Sequence, residues 1–350
     1  MEKIAAISLA PPSNEGGAEI VWKNIRENID FDNYYIKSKS GEYVYYKIPN
    51  ILHINEILSS GKIWRIISTK DYKIIFYDKI FGCFFKKNKA IQIAYAQGLY
   101  TPAGLTFYKK NFIVYLFSKI ILAHYEKKSY ENADLIIAVS QSVKNELIKL
   151  FKINEQKIIV INNGVNPEIF KRLPPQEIKK LKQKYNLSNK RINILFPARP
   201  SYGKGFDIIL KIAKKFESEI NVVVLSTKKY NQKNIIPMSK IPYEKMNELY
   251  NVCDFIVFPS RYEGNSLALL EAGACQKAIL SSENGALKTD KQYIENYICY
   301  NVNDYYNKIK LFLKDKEEIR KSENSWFLFS KKYPLSEQIT KLKKTIQRFI

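Results

Sequence analysis

Cysteine, histidine and long apolar runs are all scarce in this chain. The four cysteines, Cys83, Cys253, Cys275 and Cys299, are scattered with no C-x-x-C pair. That spacing argues against a zinc motif and a disulfide framework, and leaves free thiols suited to a reducing compartment. The only histidines are His53, in a strand-like run, and His124, late in a helical one; each reads as structural. The longest nearly apolar stretch, Phe112 to Leu122, is broken by Ser118 and Lys119 and falls short of the roughly 20 residues that cross a bilayer. Met1-Glu2-Lys3-Ile4 leads into a strand-like run without the pattern of a secretory signal, so the expected location is cytoplasmic.

Acidic residues are also in deficit, 34 against 57 basic ones, for a net charge of +23. Residues 51–130 hold 13 basic and 4 acidic residues, while the remainder of residues 1–161 holds 10 and 11. The excess is therefore concentrated. No zinc-finger spacing, RNP-like aromatic motif or Gly-x-x-Gly clamp accompanies it, so nucleic acid is not an expected partner. Basic residues interleaved with apolar ones, as in Gly61-Lys62-Ile63-Trp64-Arg65-Ile66-Ile67 and Tyr108-Lys109-Lys110-Asn111-Phe112-Ile113-Val114-Tyr115, suit an anionic membrane surface and peripheral attachment at its inner face. A lysine-rich solvated surface is the plain alternative.

With 350 residues, 46% hydrophobic and 26% charged, the chain has the length and composition of a soluble protein of two domains. Its periodicity alternates strand and helix. Strands are expected at Ile4–Leu9, Lys73–Tyr77, Ile91–Ala96, Leu135–Val139 and Lys157–Ile161, with helices at Ala18–Asn28, Phe107–Glu131 and Ser142–Phe151. The pattern restarts with strands at Ile192–Pro197, Asn221–Leu225, Asp254–Phe258 and Ala278–Leu280, and helices at Phe206–Lys215, Tyr243–Asn251, Leu267–Cys275 and Asp304–Asp315. Two blocks of β-α units imply an α/β fold of two doubly wound, Rossmann-like domains facing a central cleft, with ligands beyond the carboxyl ends of the strands. Asn162-Asn163-Gly164-Val165-Asn166-Pro167-Glu168-Ile169-Phe170 marks the boundary, where Gly, Asn and Pro break the strand.

The most informative stretch is Phe255-Ile256-Val257-Phe258-Pro259-Ser260-Arg261-Tyr262-Glu263-Gly264-Asn265-Ser266-Leu267-Ala268-Leu269-Leu270-Glu271-Ala272-Gly273. An apolar strand, a short loop and a helix N-terminus offer free N–H groups to a phosphate or a polyol. Glu263 in the loop and Glu271 two turns into the helix can face one crevice. This Glu, seven residues, Glu spacing resembles the signature of retaining glycosyltransferases of the two-Rossmann (GT-B) type, family 4 (group 1).

Further motifs fit that resemblance. At the first strand end of the second block stands Phe196-Pro197-Ala198-Arg199-Pro200-Ser201-Tyr202-Gly203-Lys204-Gly205-Phe206-Asp207, similar to the family's Gly-Arg, spacer, Lys-Gly pattern with Ala198 in place of the first Gly. A departing nucleotide diphosphate carries negative charge, which Arg199 and Lys204 can stabilise without a metal. Gly203-x-Gly205 is only half a dinucleotide fingerprint, since position 208 is Ile. The pair Gly16-Gly17 follows the first strand, where backbone can approach a ligand closely. Many family members carry a His at the end of a middle N-terminal strand. Gln97 occupies that place here, and an amide can bond a sugar hydroxyl but cannot serve as a general base near neutral pH.

The resemblance implies an N-terminal acceptor domain at residues 1–165 and a C-terminal nucleotide-sugar donor domain at 166–330. A final helix, 331–350, would cross back to the N-terminal domain, using Ile339, Leu342, Ile346 and Phe349. It implies Glu271 on the ribose hydroxyls, and Glu263 with the N–H groups around Asn265, Ser266 and Leu267 at the donor sugar and phosphates. It also implies catalytic roles for Arg199, Lys204 and Glu263, with Gly16, Gly17 and Gln97 among the substrate-binding residues. The expected partners are a UDP- or GDP-sugar donor and a glycan or lipid-linked acceptor, with no metal and no cofactor. Where His is absent, the leaving phosphate itself can take the acceptor's proton. Gln276 replaces a usual Gly after the helix and Asn166 a usual Asp in the linker. Two other readings stay open: a nucleotide-sugar epimerase of the same fold, or a non-catalytic basic protein on this scaffold that binds membrane or nucleic acid. Asp30-Phe31-Asp32 has the spelling of a metal-binding Asp-x-Asp pair, but it follows a helix instead of a core strand.

Overall fold

Ile74-Ile75-Phe76-Tyr77-Asp78 and Phe255-Ile256-Val257-Phe258 are buried along their whole length, as expected of strands covered on both faces in parallel sheets. The computed structural model describes residues 3–8, 16–35, 54–107, 112–187, 190–239 and 241–350. Pro11–Glu15 of the first loop, His53 and Tyr108–Asn111 lie outside the described residues.

Two units emerge. The first comprises Met1–Asn163, Glu263–Asn265 and Glu337–Ile350; the second comprises Gly164–Tyr262 and Ser266–Ser336. The first unit contains, in chain order, β1 (Ile4–Ser8), α1 (Gly17–Arg26), β2 (Asp32–Tyr35), α2 (Ile54–Ile67), β3 (Ile74–Asp78), β4 (Ile91–Ala96), α3 (Tyr100–Phe107), α4 (Phe112–Phe117), α5 (Ala123–Asn132), β5 (Leu135–Ala138), α6 (Gln141–Phe151) and β6 (Ile158–Val160). Its six strands are parallel in the order β2-β1-β3-β4-β5-β6. The order reverses between β1 and β3, which makes that edge the switch point where loops diverge.

The second unit runs α7 (Pro175–Lys184), β7 (Ile192–Phe196), α8 (Phe206–Lys215), β8 (Ile220–Leu225), β9 (Ile235–Met238), α9 (Met246–Val252), β10 (Phe255–Phe258), α10 (Leu267–Ala274), β11 (Ala278–Ser282), β12 (Ile298–Cys299), α11 (Val302–Lys314) and α12 (Lys316–Lys331). Its parallel order is β12-β11-β10-β7-β8-β9, with the switch point between β7 and β10. The α/β class with two Rossmann-like units is therefore as the sequence indicates. Trp326 of α12 is fully buried and donates its indole N–H to Ile279 O at 2.8 Å, tying α12 to β11. Residues of α13 (Leu335–Gln347) within the first unit bury Ile339, Leu342 and Ile346, and Gln338 bonds the Tyr95 hydroxyl at 3.0 Å.

One helix differs from expectation. Of the helix expected over Phe107–Glu131, α3 ends at Phe107, and from Phe112 to Asn132 the chain runs without a break through α4, a π-helical turn at Ser118–Leu122 and α5. The wider π turn falls on the Ser118-Lys119 interruption of the apolar run and leaves Ile120 and Ile121 facing solvent. The expected helix at Tyr243 likewise begins as a 3-10 turn, Tyr243–Lys245, following Pro242.

Candidate functional site

The switch point of the second sheet places side by side the loops after β7 and β10, which carry two of the motifs read from sequence. The loop after β7 holds Arg199, exposed, and Lys204, half-buried. Gly205 adopts φ +75°, and a Cβ there would stand 2.0 Å from Pro259 O; the two loops touch at backbone, which only glycine permits. The Arg261 N–H donates to Gly203 O at 2.8 Å, closing the contact. Asp207, in the first turn of α8, pairs with Arg261 at 2.7 and 2.8 Å.

Ser266 is the N-cap of α10, and its hydroxyl caps none of the helix N–H groups; Leu267 begins the helix. Glu271 is buried, and its two oxygens accept hydrogen bonds from the Tyr243 hydroxyl at 2.9 Å and the Tyr250 hydroxyl at 2.8 Å. Burial pushes its pKa up to about 7, outweighing the two tyrosine bonds that favour the charge. Phe170, from the segment following the linker, packs edge-on against both tyrosine rings, with centroids at 5.4 and 6.1 Å. Tyr243 and Tyr250 were not singled out from the sequence. Only their positions in and after the 3-10 turn, facing α10, give them their role. Gln276, in the place of the usual Gly, has φ +54° and ends α10 as a Schellman-like cap, with Lys277 N–H bonded to Ala272 O at 3.1 Å.

Glu263, Gly264 and Asn265 follow β10 in sequence but group with the first unit. Asn265 donates to Val139 O at 3.1 Å and accepts at its own carbonyl from Asn163 at 3.0 Å. Ser140, the N-cap of α6, donates to Gly264 O at 2.9 Å. A Cβ on Gly264 would lie 2.2 Å from Gln97 O, so this glycine too is set by close backbone approach. Glu263 is half-buried. The structure thus gives Asn265 a definite anchoring role at the end of β5 in addition to any contact with a donor.

Around the first unit's switch point, several polar atoms are buried without hydrogen bonds. Gln97 Nε2, Trp22 Nε1 and Asp78 Oδ1 have no partner among the described residues. Asp78 ends β3 and is nearly fully buried. Burial raises its pKa, while Lys79, Gln97 and Trp22 nearby favour its charge without closing a hydrogen bond of ordinary geometry to Oδ1. Gly16 caps α1 in an extended conformation, and Gly17 has open space where a Cβ would be. Gln97 and the two glycines are candidates from the sequence, whereas Asp78 is not, its burial having no sequence signature beyond its position at a strand end.

Among the described residues no group of three or more His, Cys, Asp or Glu could hold a metal ion. In the Asp30-Phe31-Asp32 segment, Asp32 opens edge strand β2 and accepts a hydrogen bond from the Tyr72 hydroxyl at 3.0 Å. His124 is exposed at the start of α5, edge-on to Tyr125.

Comparison with known proteins follows the same division. The family described as Glycosyltransferase Family 4 matches residues 43–169, and the family described as Glycosyl transferases group 1 matches residues 177–325. An uncharacterized glycosyltransferase of Methanocaldococcus jannaschii is 30% identical over 64% of this chain and 62% of its own length. Alpha-galactosylglucosyldiacylglycerol synthase of Streptococcus pneumoniae is 25% identical over 56% of this chain and 55% of its own. The matches therefore span less than two thirds of these curated relatives. In structure, Anabaena HepE in complex with UDP-glucose superposes with a TM-score of 0.76 at 14% identity, over 99% of this chain and 100% of that one, a likeness of fold.

Proposed function

The chain belongs to the family 4 (group 1) glycosyltransferases of GT-B fold, and from that premise we propose that it moves a sugar from a UDP- or GDP-sugar to a glycan or lipid-linked acceptor, with retention and without a metal. The observation that carries the reading is the pairing of the loops after β7 and β10 at one switch point, which gathers Arg199, Lys204, the uncapped start of α10 and, in its second turn, Glu271. A nucleotide diphosphate fits this chemistry. The helix N–H groups and the two cations oppose phosphate charge, and a buried carboxylate suits a vicinal diol such as a ribose. As the sugar–phosphate bond breaks, charge develops on the departing diphosphate, and Arg199 and Lys204 stabilise it. With Gln97 in the place of a His, the acceptor proton goes to the leaving phosphate, on the face from which the bond breaks, which retains the anomeric configuration. Glu263 completes the donor-sugar contacts, and Gly16, Gly17 and Gln97 take part in substrate binding, Gln97 towards the acceptor.

The lipid-linked acceptor draws support from the name of the streptococcal relative, and the uridine donor from the complex of the structural neighbour. No helix among the described residues is long and apolar enough to cross a membrane. Leu58 and Ile66 of α2, and Leu116, Ile120 and Ile121 of α4 and its π turn, are exposed among Lys62, Arg65 and Lys119. Trp64 is instead stacked on Phe85, so in α2 the anchoring role passes from the aromatic ring to aliphatic side chains. These features support the proposal of peripheral binding to an anionic, cytoplasmic leaflet, at about 1 kcal/mol per basic residue near the surface. Sedimentation with anionic liposomes should fall steeply as salt rises; recovery in the supernatant under all conditions would remove the membrane from this reading.

The activity is tested with a panel of UDP- and GDP-sugars in the presence of EDTA. Transfer should persist in chelator, and Arg199→Ala or Lys204→Ala should slow it on the order of 100-fold or more. Activity lost in EDTA and restored by manganese would contradict the mechanism.

A further inference from the structure

Lys204 sits in a tight turn between β7 and α8 whose hold on β10 comes from a residue outside both motif glutamates. Arg261 reaches across from the loop after β10 and forms a two-pronged pair with Asp207, Nη1 to Oδ1 at 2.7 Å and Nη2 to Oδ2 at 2.8 Å. Its guanidinium lies over the Tyr202 ring, 3.8 Å from the centroid, and Nη1 also donates to Tyr202 O. Its backbone N–H bonds Gly203 O at 2.8 Å, and Ser260 Oγ donates to the same carbonyl at 3.5 Å. Within the turn, Gly205 N–H bonds Tyr202 O at 2.9 Å and Lys204 N–H bonds Ser201 Oγ at 3.3 Å. The two residues preceding Lys204 are thus held by Arg261, and Gly205 after it is pressed on Pro259.

We propose that Asp207, Arg261 and Tyr202 form a clamp that fixes the backbone of the Ser201–Gly205 turn, making Arg261 a positioning residue that aims Lys204 at the diphosphate end of a bound nucleotide. The proposal rests on the reading of Lys204 as a phosphate ligand given above. Magnitudes separate it from a purely structural pair. The Arg261 and Asp207 side chains are 23% and 38% exposed, and ion pairs so open to solvent contribute little net stability. A planar guanidinium, by contrast, satisfies both carboxylate oxygens and stacks on a ring at once, which fixes direction and which a lysine cannot reproduce. Asp207 in the first turn of α8 also meets the positive end of that helix. Consistent with the pairing, Arg261 holds the Asp207 carboxyl below its usual range and Asp207 raises the Arg261 guanidinium.

Calorimetric titration of UDP, GDP, uridine and guanosine into the wild-type chain and into Arg261→Ala, Arg261→Lys and Asp207→Ala tests the clamp, with thermal melting alongside. The expected result is an approximately tenfold loss of nucleoside diphosphate affinity in all three variants, unchanged nucleoside affinity and a melting temperature within a few degrees of wild type. In a Lys204→Ala background, Arg261→Ala should then add less than twofold, because it acts through Lys204. Variants that bind diphosphate as wild type does, or that lose nucleoside and diphosphate alike, would overturn the clamp, as would a full tenfold loss without Lys204. A wild-type chain that binds neither UDP nor GDP would instead overturn the underlying reading of the site.

Discussion

Two glutamates, one in each unit, are buried to nearly the same degree and pushed up to about 7 by the same cause, yet they are held by different kinds of donor. Glu126 of α5 accepts from the backbone N–H of Tyr100 at 2.6 Å and of Thr101 at 2.7 Å, capping the start of α3 from a distant element. Glu271 accepts from two tyrosine hydroxyls. A backbone N–H at a helix start cannot turn away, whereas a hydroxyl can rotate and can also accept. Glu126 is consequently a fixed structural cap. Glu271 can exchange its partners for the hydroxyls of a ligand, which reconciles a filled hydrogen-bonding shell with the proposed ribose contact. Similar burial and similar pKa do not imply similar roles; the freedom of the donor decides.

The comparison breaks most visibly if Glu126 is removed. Glu126→Ala strands two backbone donors, each worth about 1–3 kcal/mol when left unmet. Because the deletion also relieves a buried carboxyl, the expected net loss is about 2–4 kcal/mol in urea unfolding, with UDP affinity unchanged. A variant as stable as wild type would mean that water caps α3 as well as the carboxylate does, and would erase the contrast.

A smaller effect distinguishes the two glutamates by pH. Both have folded-state pKa values raised above the unfolded value of about 4.5. Each therefore contributes stability that is complete below about pH 4.5 and is lost as pH rises through about 7. Glu271→Gln removes one of these losses, and Tyr243 or Tyr250 can rotate to accept from the new amide. Thermal melts should show this variant gaining on wild type between pH 5 and pH 8. Glu126→Gln, whose amide would face two fixed N–H groups, should be less stable than wild type at both. A Glu271→Gln variant that loses ground as pH rises would show that its tyrosines are as unyielding as a helix backbone.

These distinctions explain what the sequence could reveal. β7, α8, β10 and α10 were legible because apolar runs, loops and helical periodicity follow one another without interruption, and the two-glutamate spacing is local. β2 was not, because Asp32-Asn33-Tyr34-Tyr35 is an edge strand with only half-buried or exposed side chains. The strand β9 contains Pro237 and the helix α7 is almost wholly polar, so neither carries a strong periodic signal. The cap made by Glu126 spans 25 residues and the Arg261–Asp207 pair 54. Such pairings arise from the order of strands in a sheet, which a local pattern does not encode. The same holds for Tyr243 and Tyr250, which have meaning only once α10 is laid against them, and for Asp78, where an ordinary strand-end residue becomes a buried carboxyl with Oδ1 left without a hydrogen bond among the described residues.

The central claim is that Glu271 serves a nucleotide, and calorimetric titration of UDP and GDP into wild type and Glu271→Ala tests it most directly. Loss of hydrogen bonds from a charged group to the ribose should cost about 1.5–3 kcal/mol, a fall of roughly 10- to 150-fold for whichever nucleotide binds, with the melting profile still cooperative. Affinity for both nucleotides equal to that of wild type would contradict the claim and leave Glu271 as a second structural carboxylate like Glu126.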